Sequence, residues 1–205
     1  MEEIKVVGVE AKVIVQMPLV ERAKLYSQKF PHYPPLRADE RWIDGMWIMG
    51  NNYTTSGYYG AYPHSYLNRI MSLFPDCKNI LHLFAGSLSK GDYVRFDIKA
   101  EYADIVGDAN ELSKYFNAET FDLILADPPY SVEDCEHYGT SMINRNKVLR
   151  ECVPILKRGG FIVWLDQVLP MFRKKEIQMI GVIGMVKSTN HRFRVVTIFQ
   201  RHLSE

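Results

Sequence analysis

The residue types with the clearest chemistry form one tetrapeptide, Asp-Pro-Pro-Tyr, which directly follows the apolar run at positions 121–126. Ligands of open α/β sheets lie beyond the carboxyl ends of the strands, where this tetrapeptide would be. Its prolines fix the backbone and remove two N–H donors, which leaves the Asp127 carboxylate and the Pro128 carbonyl as rigid acceptors. Two such acceptors can take both protons of an exocyclic amine and turn its lone pair out of conjugation, while Tyr130 stacks on the ring. Against the simpler interpretation of a strand-ending aspartate and a proline turn, we predict that the catalytic residues are Asp127, Pro128, Pro129 and Tyr130.

A second set of residues follows the apolar runs that precede this strand. The run at 80–84 leads into small residues, an arrangement that lets a backbone approach a cofactor closely. Asp97 ends the next run, where a carboxylate can hold two ribose hydroxyls, and Asp108 ends the run after that, where it could accept from an adenine amine. Each aspartate alone is more often a turn or cap residue, but their succession at strand ends favours a ligand site. The predicted cofactor-binding residues here are Phe84, Ala85, Gly86, Ser87, Asp97, Asp108 and Ala109.

Strands that alternate with helices would position both sets. Short apolar runs bounded by turns indicate strands buried on both faces of a parallel sheet, at 80–84, 93–98, 103–106, 121–126 and 161–165. Helical spacing of apolar residues predicts helices at 66–74 and 148–156, with a shorter one at 110–116. The last two runs, at 179–186 and 192–199, predict an antiparallel hairpin at the sheet edge. We therefore expect an α/β fold with a mostly parallel sheet, and Asp166 at the end of the last parallel strand is a further candidate for the cleft.

The beginning of the chain departs from this pattern. Residues 1–62 are rich in Trp, Tyr and turn residues, and Pro31 ends any helix begun near Leu19. We predict an irregular, aromatic-rich N-terminal extension at 1–58 and a catalytic domain at 59–205. Trp47 is expected to pack under this extension rather than line a pocket.

The composition excludes several classes of protein. With 205 residues, 47% of them hydrophobic and 24% charged, the chain suits one domain with a real core rather than a mainly disordered protein. The longest apolar run, at 180–186, is too short to span a bilayer, and the first residues lack the features of a signal peptide. Three widely spaced cysteines show neither a disulfide framework nor a metal pair. We therefore expect a cytoplasmic protein with no membrane contact and no metal.

These motifs together resemble those of the class I S-adenosylmethionine-dependent methyltransferases, specifically the amino-methyltransferases of nucleobases. In that family a Phe-x-Gly loop, here 84–86, binds the cofactor, and an (Asp/Asn/Ser)-Pro-Pro-(Tyr/Phe/Trp) motif binds the target amine. The resemblance covers roughly residue 59 to the C-terminus and implies a Rossmann-like sheet with S-adenosylmethionine as the cofactor. It also implies that the segment before the cofactor strand closes over the methionine end, which adds Tyr59, Tyr62 and Pro63 to the predicted cofactor-binding residues.

The Asp-Pro-Pro-Tyr form of the motif is most typical of adenine N6 methyltransferases, so the resemblance implies methyl transfer to adenine N6 in DNA. The close alternative is an RNA base, at adenine N6 or guanine N2, because a separate target-recognition domain has no room unless residues 1–58 supply it. Specificity could also come from a partner protein. An alternative of another class is a non-catalytic nucleic-acid-binding or scaffold protein with this fold, which His82 and Leu88 favour because many relatives have Asp and Gly there.

A charge asymmetry bears on the nucleic-acid partner. Residues 157–205 hold nine basic and three acidic residues, a net charge of +6, which leaves −5 for residues 1–156. On charge alone a solvated face is the simpler interpretation, but contacts to phosphates would position a nucleic acid without reading its sequence. The predicted substrate-binding residues are Arg173, Lys174, Lys187, His191, Arg192 and Arg194.

Overall fold

Short apolar segments bounded by turns form the strands of this protein in a computed structural model, which describes residues 16–49, 62–63, 65–187 and 193–203. The strands are β1 (Arg37–Ala38), β2 (Ile43–Met49), β3 (Ile80–Leu83), β4 (Val94–Asp97), β5 (Ile105–Val106), β6 (Phe121–Ala126), β7 (Leu156–Asp166), β8 (Ile177–Lys187) and β9 (Phe193–Arg201). The α-helices are α1 (Leu19–Lys29), α2 (Tyr66–Leu73), α3 (Val132–Tyr138) and α4 (Arg145–Ile155), and 3₁₀ helices span Ala100–Tyr102 and Ala109–Lys114.

All these strands join one mixed sheet, in the order β1-β2-β8-β9-β7-β6-β3-β4-β5. The five neighbours from β5 to β7 are parallel, and their order reverses between β3 and β6. This reversal is the topological switch point of a doubly wound, Rossmann-like sheet. β9 runs antiparallel between β7 and β8. The predicted α/β fold, the mostly parallel sheet and the antiparallel C-terminal hairpin are therefore confirmed. The predicted place of the hairpin at the sheet edge is wrong, because β2 pairs with β8 and continues the sheet beyond it.

Both faces of the parallel strands are covered, as their uninterrupted apolar character requires. Along β6, Leu123 and Leu125 pack into the layer that contains α1 and α2, whereas Ile124 and Ala126 pack into the layer that contains α4. All four residues are at most 1% exposed. Each large apolar side chain buried in this way contributes about 1.5–3 kcal/mol to folding, so the sheet is a rigid support for the loops at its edges.

Residues 16–49 correct the prediction of an irregular N-terminal extension. α1 ends just before Pro31, as the sequence predicts, but β2 then lies parallel to β8 and extends the sheet, with β1 antiparallel outside it. Ile43 and Trp47 are buried whereas Met46 is 43% exposed, which is the two-residue period of a strand. The abundance of aromatic and turn residues hides this period in the sequence. Trp47 packs in the core, as predicted.

Two connections at the carboxyl ends of strands differ from ordinary crossovers. The segment between β3 and β4 contains no helix. α3, which the sequence did not predict, begins directly after the Asp-Pro-Pro-Tyr segment, where the Ser131 side chain accepts from the Asp134 N–H at 3.1 Å. In the described ranges, no helix combines the length and the apolar character that crossing a bilayer requires.

Candidate active site

The predicted catalytic and cofactor-binding sets meet at one cleft of about 490 Å³, a volume typical of small-molecule sites. The cleft lies at the switch point between β3 and β6, where open α/β sheets bind ligands. The predicted residues that line it are Phe84, Gly86, Asp97, Asp108, Ala109, Asp127, Pro128, Pro129, Tyr130 and Arg194. Residues far apart in the sequence converge because parallel strands bring their carboxyl ends to one edge of the sheet.

The loop after β3 bends tightly enough to bring its backbone to the cleft. Phe84 and Gly86 both have left-handed φ angles, 59° and 50°, which glycine adopts freely but which strain a phenylalanine by about 1–3 kcal/mol. The N–H groups of Phe84 and Ala85 donate to the Phe96 carbonyl in β4 at 3.0 and 3.4 Å and anchor the loop. Ala85 is buried beneath the loop and Ser87 is exposed beyond it, so Phe84 and Gly86 are the loop residues that face the cleft.

Main-chain donors orient the two carboxylates on the cofactor side of the cleft. Asp97 accepts from the N–H groups of Gly86 at 3.2 Å and Lys99 at 3.0 Å. Asp108 accepts from the Asn110 N–H at 2.8 Å, so it caps the 3₁₀ helix and lines the cleft at the same time. Asn110 also lines the cleft, and its buried Oδ1 has no hydrogen-bond partner among the described residues. No local pattern indicated Asn110 as a site residue beyond its place two residues after Asp108.

The end of β6 forms the opposite wall, residues 127–130, which we call the amine corner after the role predicted for it from the sequence. The Tyr130 hydroxyl donates to Oδ1 of Asp127. Burial, together with the negative charge of Asp127, raises the pKa of Tyr130 well above its ordinary value, so this hydroxyl stays protonated at neutral pH. Arg194 on β9 places its Cζ 4.6 Å from the centre of the Tyr130 ring. The guanidinium thus covers one face of the ring and belongs to the corner.

The segment before α2 lies outside the cleft lining and packs against α2 and β3. The Tyr62 hydroxyl lies 3.3 Å from Nδ1 of His82, and the Tyr62 ring stacks on Tyr66 at 5.5 Å between centres. Burial and the charge of Asp127 raise the pKa of both tyrosines. Burial lowers the pKa of His82 to about 4, so this imidazole is neutral, as expected of a core histidine. Pro63 accepts the first N–H of α2 with its carbonyl.

A buried ion pair that the sequence analysis did not predict contacts the main chain of the amine corner. Arg145, the first residue of α4, binds Asp166 at 2.6 Å and the Tyr130 carbonyl at 3.1 Å. Asp166 was a candidate for the cleft, but it is 1% exposed and contacts the corner through Arg145. The available signal was a basic residue near the start of the predicted helix at 148–156, which is the second helix after the motif in the structure.

The predicted substrate-binding residues divide between the two edges of the sheet. Arg194 pairs with Met185 near the carboxyl edge, where β8 also ends at Lys187. Arg173 and Lys174 precede β8 and therefore lie beyond the amino edge. The eleven residues of β8 cross the sheet, a distance of roughly 30 Å at the usual rise.

The structure does not bring Arg173 and Lys174 to this cleft together with Arg194. Arg173 pairs instead with Glu176 at 3.0 Å. Three other predicted residues lie outside the described ranges, namely Tyr59, His191 and Arg192. In the part of the chain that the structure describes, no group of three or more His, Cys, Asp or Glu residues could hold a metal ion.

No protein-family model and no curated protein matches the chain. Among solved structures, TrmN from Thermus thermophilus is 14% identical, with a TM-score of 0.43, over 60% of this chain and 44% of its own. A SAM-dependent methyltransferase from Methanosarcina mazei is 16% identical, with a TM-score of 0.40, over 62% of this chain and 93% of its own. The N-methyltransferase NodS from Bradyrhizobium japonicum, in complex with S-adenosyl-L-homocysteine, is 12% identical, with a TM-score of 0.40, over 61% and 78%.

The match thus spans less than half the length of TrmN. At these identities and TM-scores the likeness carries no argument about substrate. The strand order, with its reversal between β3 and β6 and its antiparallel last strand, defines the architecture independently. The chain has a doubly wound, Rossmann-like α/β fold.

Proposed function

We propose that this protein transfers a methyl group from S-adenosylmethionine to an exocyclic amine of a nucleobase, adenine N6 in DNA. The observation that carries the proposal is that the amine corner and the carboxylates of Asp97 and Asp108 line one cleft at the switch point of the sheet. A rigid amine acceptor beside acceptors for a nucleoside is the combination this reaction needs.

The residues of the cleft fit this cofactor chemically. Asp97 would accept from ribose hydroxyls, and Asp108 from the amine of the adenine ring. Asn110, with its orphaned Oδ1, offers a further acceptor for that amine. The rings of Phe84 and Tyr130 would favour a sulfonium cation. When bound, S-adenosylmethionine would supply an electrophilic methyl group.

The amine corner would bind and orient the target. The Asp127 carboxylate and the Pro128 carbonyl would accept hydrogen bonds from the two N–H groups of the amine. This arrangement turns the nitrogen lone pair out of conjugation with the ring, so the nitrogen is a better nucleophile. One face of the Tyr130 ring is covered by Arg194, so the target ring would stack on the other face, worth about 1–3 kcal/mol. The residues would act mainly by positioning, an effect that can lower a barrier by ~7–11 kcal/mol.

An RNA base, at adenine N6 or guanine N2, is the second candidate target. The observation that favours it is that residues 16–49 build β1 and β2 into the sheet instead of forming a separate recognition unit. A base in a duplex must leave its stack to reach the cleft, whereas an unpaired base is already available. A partner protein would be a source of sequence specificity in either case.

The three free, buried cysteines are in keeping with a reducing, cytoplasmic setting.

The test is to incubate the protein with labelled cofactor and with DNA and RNA in parallel, and to identify the modified nucleoside. We expect label in N6-methyladenine from DNA. Label found in RNA alone would contradict DNA as the substrate and favour the RNA base as the target. Calorimetry with the cofactor addresses the remaining class, because a complete lack of binding would favour a non-catalytic scaffold that keeps the fold.

A further inference from the structure

We infer that Arg145 is a positioning residue that fixes the amine corner through its main chain, an inference that rests on the proposed function. Arg145 begins α4, after the corner and α3. Its Nη2 donates to the carbonyls of Pro129 at 3.3 Å and Tyr130 at 3.1 Å. These carbonyls belong to the two residues that follow Pro128, so their hydrogen bonds set the orientation of the peptide planes behind the proposed acceptor.

The guanidinium is itself held in place from β7. Its Nε donates to Asp166 Oδ2 at 2.6 Å, and its Nη2 lies 3.3 Å from Oδ1 of the same carboxylate. Asp166 also accepts from Trp164 Nε1 at 3.2 Å and from the Gln167 N–H at 2.7 Å. With Asp166 1% exposed and Arg145 16% exposed, the pair is largely shielded from water, where charge-assisted hydrogen bonds are strong and directional.

The arrangement ties the ends of two neighbouring parallel strands together. The corner follows β6 and Asp166 ends β7, and these strands pair up to Ala126 and Trp164. Only a planar fork can bind a carboxylate and two carbonyls in fixed directions at once, which a lysine ammonium cannot do. Arg145→Lys should therefore keep the ion pair with Asp166 and lose the hold on the corner.

The chain offers a matched control in Arg22. This arginine is 1% exposed, binds both oxygens of Asp76 at 2.6 and 2.7 Å, and donates to the carbonyls of Met17 and Leu73. It performs the same bridging between α1 and the end of α2, away from the cleft. Arg22→Lys therefore reports the cost of weakening a buried arginine bridge that does not hold the corner.

The experiment compares Arg145→Lys and Arg22→Lys with the wild type in the full chain. For Arg145→Lys we expect kcat to fall about 10- to 100-fold, since small misplacements of reacting groups have effects of this order, with the cofactor Kd within about twofold. Hydrogen exchange of the peptide spanning residues 127–134 should rise, while exchange of residues 66–73 stays unchanged. Arg22→Lys should lower the melting temperature and leave kcat unchanged.

Asp166→Asn provides a second variant that removes the charge and keeps the shape, and it should change kcat and exchange in the same direction by less. Unchanged exchange at 127–134, or raised exchange with an unchanged kcat, would overturn the role of Arg145. If the wild-type protein binds the cofactor but methylates neither DNA nor RNA, the proposed function is wrong, whereas the role of Arg145 is not affected by that result. In that event the exchange measurement still decides whether Arg145 holds the corner.

Discussion

Charged residues lie at both edges of the sheet, and Asp166 at the carboxyl edge is paired with Arg145, but Asp97 differs from the aspartates of the amino edge in its kind of partner. At the amino edge, opposite charges pair, as Asp122 does with Lys157 at 2.7 Å and Asp104 with Arg95 at 2.8 Å. Hydrogen bonds from Arg95 lower the pKa of Asp104 to about 2. At the carboxyl edge, Asp97 accepts from two main-chain N–H groups instead.

We expect this difference to separate residues that hold the fold from residues that serve a ligand. An ion pair neutralises a carboxylate, whereas hydrogen bonds from neutral main-chain groups orient it without cancelling its charge. The carboxylate of Asp97 therefore lines the cleft without an ion pair among the described residues, which suits the donors of a sugar. The following substitutions test this comparison between the two edges.

The largest effect is expected from the two ends of β6. Asp127→Ala at the carboxyl edge should lower methyl transfer by about 10³-fold, because it removes a preorganised acceptor of the target amine. Calorimetry should show an almost unchanged cofactor affinity. Asp122→Ala, at the amino edge of the same strand, is the control and should leave transfer unchanged. An equal loss of cofactor binding in Asp127→Ala would assign this carboxylate to the cofactor.

The ends of the neighbouring strands sharpen the comparison on the cofactor side. Asp97→Ala should weaken cofactor binding roughly 10- to 100-fold, the usual loss for a charged hydrogen-bonding group, as measured by calorimetry. Asp104→Ala should lower the melting temperature and keep the cofactor affinity. Similar affinity losses in both variants would mean that the edges do not differ in function.

The basic residues test the comparison at the level of the substrate. Arg194→Gln should weaken binding of the nucleic acid and reduce the slope of log affinity against log salt by about one unit, if it contacts one phosphate. Arg173→Gln, beyond the opposite edge, should leave that slope unchanged. Fluorescence anisotropy at several salt concentrations measures both, and equal slopes for the two variants would contradict the division.

The smallest effect is expected from the ion pair of Asp122. Burial acts to raise the pKa of this group, but hydrogen bonds from Asn79 and Lys157 outweigh it, so the pKa lies below its ordinary 3.8. A pKa that is lower in the folded than in the unfolded state stabilises the protein at pH values above the unfolded-state pKa. This stabilisation is lost as the pH falls through the folded-state pKa. Asp122→Asn should therefore cost about 1 kcal/mol or less at pH 7 and nothing once the pH lies well below 3.8. Denaturant unfolding at several pH values measures the free energy of unfolding of the variant and the wild type. A difference between the two that is the same at every pH would contradict this explanation.

Much of the parallel half of the fold was readable from local sequence. β6 matches its predicted bounds, and the predicted cofactor strand differs from β3 at one end only, by Phe84. Doubly buried strands are continuous apolar runs, and such runs are conspicuous. β2 was missed because its alternation involves Gly45 and exposed apolar residues such as Ile48, which resemble irregular aromatic sequence.

The candidate site was predictable where its residues end strands, and unpredictable where they come from elsewhere. Asp97, Asp108 and the amine corner follow apolar runs directly, so their common edge follows from the strand direction. Arg145 begins a helix and Asn110 lies within a 3₁₀ helix. Nothing in a local pattern says which side chain of such a segment reaches the cleft, as Asn110 does, or the corner behind it, as Arg145 does.

The sequence by itself determined that parallel strands would present aspartates and a proline-fixed turn at one edge, because the direction of a parallel strand decides which edge its last residue reaches. Only the tertiary structure decided which basic residues accompany them. Arg194 and Arg173 look alike in a charged segment, yet β8 and β9 run antiparallel, and the lengths and register of these strands put one arginine at the cleft and the other at the far edge. Pairing between distant segments sets that register, and no short stretch of sequence contains it.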